Sequence, residues 1–85
     1  MSQAATEGAI REILATHGRL NRSAAEVRSD ADLFAVGLDS QAVVNVMLAI
    51  EERFEFEFPE DRLNRETFTT IGSIAQVVAA AGASA

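Results

Sequence analysis

Apolar residues fall along this chain in two clear runs of helical period, at its start and its middle, with a third near its end. Ala9, Ile10, Ile13, Leu14 and His17 recur at helical spacing before Gly18. That spacing predicts a first helix over residues 3 to 17, with Ser2 or Thr6 as its cap and His17 on its inner face. From Ser40 onward, Val43, Val46, Met47, Ile50 and Phe54 fall at i, i+3, i+4, i+7 and i+11, and Val44 and Leu48 widen the stripe. This central helix cannot continue past Pro59. The stretch FEFEFP, residues 54 to 59, alternates apolar and acidic positions with the period of a strand. One strand of that length has nothing to pair with, so the expectation is an extended connector with Phe56 and Phe58 pointing inward. EDRLNRETF then predicts a short third helix of one or two turns, with Leu63 and Phe68 facing the core. Thr69 or Thr70 caps a last helix, in which Ile71, Ile74, Ala75, Val78 and Ala81 share a face before AGASA frays.

Between the first two helices, GRLNRSAAEVRSDADLFAVGLD scatters turn and cap residues among single apolar side chains. Loops of that length are uncommon in compact domains, and they carry function or are pinned by their own side chains. Leu20, Val27, Leu33, Phe34 and Leu38 are the candidate pins. The fold expected is all-α: a small four-helix bundle of three longer helices and a short third one, with a long first loop. Residues 1–85 read as a single domain.

Composition narrows the chemistry. A chain of 85 residues has room for one small core and little room for a deep enclosed active site. Cysteine is absent, which removes disulfides and thiolate metal sites, so the 48% of hydrophobic residues must supply the stability. Thirteen acids against seven bases, all of them Arg, leave a net charge of −6. Such a chain repels phosphate backbones, which excludes nucleic acid as the expected partner and favours a basic protein. The start MSQAATEGAI has neither the basic start nor the apolar core of a secretory signal, and no apolar run approaches a membrane span. A soluble, cytoplasmic, monomeric protein with no membrane partner is the expectation.

The one candidate for chemistry is Asp39-Ser40, at the mouth of the central helix. Either residue type caps a helix well, so capping alone does not explain the pair. Self-activated nucleophilic catalysis by Ser40 would need a base oriented by a third group, and His17 is the single histidine. No His, Cys and carboxylate cluster has metal-ligand spacing, and no glycine-rich phosphate loop is present. The chain is therefore expected not to be an enzyme. An exposed serine at a helix N-terminus remains suited to accepting a group from another enzyme, and the helix start favours a phosphate placed there. With Ser40 so occupied, Asp39 does the capping.

DADLFAVGLDSQAVVNVMLAIEERFEFEFPED resembles the central region of acyl carrier proteins and peptidyl carrier domains. The shared features are a D-L-F-x-x-G-x-D-S turn, a long amphipathic helix, an E-E-x-F end and an aromatic-acidic connector closing on F-P. The order of helices outside this region is similar too. The resemblance implies that Ser40 takes 4′-phosphopantetheine from coenzyme A, delivered by a separate phosphopantetheinyl transferase with magnesium. Gly37, Leu38 and Asp39 then correspond to the turn that the transferase reads. It further implies a thioester cargo, a cargo-loading ligase and a downstream transferase.

Two departures from the family pattern bear on the cargo. Gln41 follows the serine where Leu is usual, and residues 41 to 50 carry no acid. The acids gather instead at Glu51, Glu52, Glu55, Glu57, Glu60, Asp61 and Glu66. NVMLAIEERF and FPEDRLNRETF resemble the small stand-alone carriers that receive an amino acid, so an aminoacyl group is expected ahead of a fatty or polyketide acyl group. A charged ammonium gains nothing from an apolar cavity, which keeps such cargo outside the bundle. Partners are expected along Gln41, Asn45, Glu51 and Glu52, with the first loop and third helix alongside. The competing expectation is an unmodified acidic helical module that binds a basic partner through its connector.

Overall fold

The structure, a computed structural model, describes residues 3 to 81. Helix α1 (Gln3–Ile13) continues into one π-helical turn (Leu14–Gly18), helix α2 spans Ser40–Phe54, and helix α3 spans Ile71–Ala80. Three single 3-10 turns, at Ala24–Glu26, Phe34–Val36 and Glu60–Arg62, punctuate the connections. There is no strand among the described residues, and the fold is all-helical as expected.

Three helices share one core. Helix α1 packs against α3, while its π turn lies on α2. Ile10, Leu14, Val46, Ile50, Ile71, Ile74 and Val78 are fully buried, and Leu33 joins them from the first loop. The α2 seam is narrower than the periodicity suggests. Ala42, Val46, Ile50 and Phe54 form it, Val43 and Met47 flank it, and Val44 and Leu48 are 50% and 53% exposed rather than widening it. A helix that packs along one side buries about one stripe.

The long first loop is pinned as expected. Val27, Leu33 and Leu38 are buried, with Leu20 and Phe34 partly so. Its backbone is tied to the start of α3: Leu33 N donates to Thr69 O at 2.7 Å, and Gly72 N donates to Ser29 O at 2.9 Å. The Arg11 guanidinium donates to Ala24 O at 3.0 Å, to Val27 O and to Ser29 Oγ at 3.3 Å. One α1 side chain thus gives Val27 O a partner and adds a second donor at Ala24 O, which also accepts from Val27 N.

Several expectations are corrected. The third helix is one 3-10 turn, Glu60–Arg62, followed by turns, and Leu63 is 47% exposed. A short polar segment after Pro59 has too few apolar contacts to hold more than a turn. Thr6 lies inside α1 and is buried, so it is not the cap, and Ser2 falls outside the described residues. His17 sits in the π turn and is exposed, because the wider turn rotates it off the inner face. Ala81 lies past the end of α3 and is exposed. Residues 82 to 85 of the expected fraying tail fall outside the described residues.

Truncating a core side chain should cost far more than truncating an exposed one. Ile50→Ala is expected to lose about 2–5 kcal/mol and Val44→Ala less than about 1 kcal/mol in urea unfolding. Equal losses would contradict the narrow seam.

Candidate functional site

The site is the turn that delivers the chain into α2. Asp32 starts it, accepting from Phe34 N at 2.9 Å through its side chain. The 3-10 turn Phe34–Val36 follows, and Leu38 N donates back to Leu33 O at 3.0 Å. Gly37 reverses the direction at φ 116°, in the left-handed region that side chains disfavour. A Cβ there would lie 3.0 Å from Asn21 N and 3.3 Å from Arg19 O, so the opposing strand of loop also demands a glycine. The loop crosses itself here, with Asn21 N donating to Val36 O at 2.8 Å. Leu38 is buried and anchors the turn from below.

Asp39 is the N-cap of α2. Its backbone is extended, and its Oδ1 accepts from Ala42 N at 2.8 Å. Ser40 is the first helical residue and is exposed, and among the described residues its hydroxyl has no hydrogen-bond partner. The pair is thus divided between two tasks. The carboxylate satisfies the helix amide, and the hydroxyl is left facing solvent.

Ser40 borders an open groove of about 310 Å³ between α2 and the segment before α3. Phe34, Val43, Val44, Met47, Leu63 and Phe68 supply its apolar wall, with Asn64 and Arg65 beside them. The Arg65 guanidinium carbon stands 3.9 Å from the centroid of the Phe34 ring. These residues fit a phosphopantetheine held covalently. The Ser40 oxygen is free and exposed, helix amides lie beside it, and an apolar surface adjoins it. No group of three or more His, Cys, Asp or Glu able to hold a metal exists among the described residues.

Of the residues expected on a partner surface, Gln41, Asn45 and Glu52 are exposed on α2. Glu51 is committed elsewhere: its Oε2 accepts from Phe58 N at 2.8 Å. That bond holds the connector as it leaves α2 through Glu55, which takes a left-handed conformation at φ 56°. Sequence reasoning missed the exposed apolar strip of Val44, Leu48 and Leu63 and the cation at Arg65. Positions 40, 44 and 48 lie four apart and off the 42, 46, 50 and 54 seam, and that spacing is the signal that could have found the first two.

Three substitutions test this geometry. Asp39→Ala should lose about 1 kcal/mol of stability, while Ser40→Ala should change it by less than about 0.5 kcal/mol, read by thermal unfolding with circular dichroism. The reverse order would mean that Ser40 is the cap. Gly37→Ala should cost about 1–3 kcal/mol, since it meets both an unfavourable φ and a close backbone; a neutral result would show that the turn relaxes.

Comparison with known proteins agrees with this geometry. Residues 9–78 match the family model described as a phosphopantetheine attachment site. The chain is 48% identical over 69 residues to an aminoacyl carrier protein of Agrobacterium fabrum, spanning 81% of this chain and 83% of that protein. Its structure resembles the carrier protein from Agrobacterium tumefaciens in a crystal structure with an engineered Bradyrhizobium japonicum glycine:[carrier protein] ligase and AMP. The TM-score there is 0.83 at 45% identity, covering 86% of this chain and 97% of that one. A solution structure of a holo acyl carrier protein from Nitrosomonas europaea has a TM-score of 0.77 at 36% identity, with 87% and 92% covered. An all-helical chain whose capped helix leaves a serine free, and whose residues 9–78 match that model, belongs to the phosphopantetheine attachment family.

Proposed function

We propose that this protein is a carrier that holds an activated aminoacyl group as a thioester on a 4′-phosphopantetheine arm attached to Ser40, and presents it to partner enzymes. The observation that carries the assignment to Ser40 is the division of labour at the helix mouth. Asp39 makes the capping bond to Ala42 N, so esterifying the Ser40 oxygen breaks no hydrogen bond of the fold. The arm supplies the thiol that this cysteine-free chain lacks. Gly37 and Leu38 hold the turn in the shape a phosphopantetheinyl transferase reads, and the transferase brings the base and the magnesium ion. The chain contributes no catalysis of its own, and residues 1–85 act as one monomeric carrier domain in the cytoplasm. No described helix is long and apolar enough to cross a membrane.

An aminoacyl cargo is supported by the likeness to an aminoacyl carrier protein and to a carrier crystallised with a glycine ligase. The packing agrees with it. Val46, Ile50, Ile74 and Val78 are fully buried, and the tilted rings of Phe58 and Phe68 lie 5.2 Å apart, so the bundle interior is apolar. An aminoacyl group carries an ammonium that is costly to bury, and it belongs outside such a core. The loading partner is an amino acid ligase, and the receiver is a downstream transferase. The ligase docks on the exposed side of α2, where Val44 and Leu48 give apolar contact and Gln41, Asn45 and Glu52 give a polar rim. Glu51 contributes less, since its carboxylate holds the connector.

Incubating the pure protein with coenzyme A, magnesium and a promiscuous phosphopantetheinyl transferase tests the assignment. Intact mass should rise by one phosphopantetheinyl group in the wild type and stay unchanged in Ser40→Ala, with the helicity of the variant checked by circular dichroism. Failure of the folded wild type to gain mass would instead favour the unmodified acidic interaction module.

A further inference from the structure

Of the chain's seven arginines, Arg19, Arg22, Arg62 and Arg65 have no carboxylate partner among the described residues, and of these only Arg65 borders the groove beside Ser40. Arg11, Arg28 and Arg53 pair with Glu7, Asp30 and Glu12 at 3.9, 3.1 and 3.2 Å. Arg65 has no such partner among the described residues and lies over the Phe34 ring instead. A guanidinium held over a ring by its central carbon has N–H donors left to meet an anion. Arg65 is also the one arginine that borders the groove with Ser40, whereas Arg19 and Arg22 line a separate cavity beside Leu14.

Two of the donors around the groove are already engaged within the fold. The Ala42 amide is taken by Asp39, whose carboxylate also places a like charge beside anything anionic attached to the serine. Asn64, the other polar side chain on the groove besides Ser40 and Arg65, is spent on its own segment. Its Nδ2 donates to Asp61 O at 3.1 Å, and its Oδ1 accepts from Thr67 N at 2.9 Å.

We propose that the Arg65 guanidinium, held in place on Phe34, is the counter-ion of the phosphodiester formed when Ser40 is esterified. This rests on the reading of Ser40 as the attachment point. A phosphodiester adds a negative charge to a chain already at −6, at the spot where Asp39 is also negative. A guanidinium already held over a ring loses less freedom on engaging phosphate oxygens than a free one. Arg65 is a positioning residue. It fixes the root of the arm over the apolar groove rather than acting on the thioester.

Apo and holo forms of the wild type, Arg65→Gln and Arg65→Lys provide the test. Intact mass comes first: no gain in the wild type overturns the Ser40 reading and this inference with it. With mass gained, the quantity read is the melting temperature of the holo form minus that of the apo form. Arg65→Gln is expected to lower this difference by about 4 °C, and Arg65→Lys by less. The phosphorus resonance of the phosphodiester is expected to shift between the wild type and Arg65→Gln. If apo and holo forms fall equally and the resonance stays put, Arg65 only supports Phe34 and the inference is overturned. Should Arg65→Gln not fold, the wild type alone decides. Raising salt from about 0.01 M to about 1 M shortens the screening length from about 30 Å to about 3 Å. The holo-minus-apo difference should then fall, and a salt-independent difference overturns the inference.

Discussion

One hydrogen bond, from Ala42 N to the Asp39 carboxylate, organises the start of α2 around Ser40. A helix start leaves amides that must find acceptors, and the N-cap side chain ordinarily supplies one. Here Asp39 holds the N-cap position. Ser40 then occupies the first turn with a hydroxyl that the fold does not use, and its chemistry becomes independent of the stability of α2.

That arrangement holds only if Asp39 is delivered at the right place and angle, and the first loop does this. Leu33 and Leu38 sink into the core on either side of the 3-10 turn, and Gly37 lets the chain reverse against the backbone at Arg19 and Asn21. The loop is held from two sides, by Arg11 on α1 and by backbone bonds to the start of α3. The start of α3 is itself fixed by a reciprocal cap between Thr70 and Ser73. A long loop ordered by buried side chains and paired carbonyls costs entropy once and then presents its turn rigidly.

Beyond the turn, the molecule separates its functions by polarity. Most acids lie past residue 50, where Glu51 is used to hold the connector and the others stay in solvent. The surface next to Ser40 is apolar by contrast, with Val44, Leu48 and Leu63 exposed and Phe34 and Met47 partly so. An apolar strip with a polar rim suits reversible contact with another protein, since it offers burial without requiring charges to be stripped of water. Among the described residues, Arg65 on Phe34 is the one cation that borders that strip.

Local pattern was enough to read the helical class, the α2 stripe, the pinned first loop and the Asp39-Ser40 mouth, because helical period, cap chemistry and turn glycines act over a few residues. It was also enough to raise the question of the doubled cap. What it left open was which neighbour covers which face. Val44 and Leu48 look like core residues from spacing alone, yet only the seam through Ala42, Val46, Ile50 and Phe54 is buried in the core. The segment after Pro59 reads as helix by composition, yet it has too little to pack against and forms a single turn. Glu51 reads as a solvent acid until the connector folds back to bring Phe58 N to it, and Arg65 reads as an ordinary surface base until Phe34 arrives from far along the chain. Each of these depends on contacts between residues distant in sequence, and only the packed tertiary structure determines those.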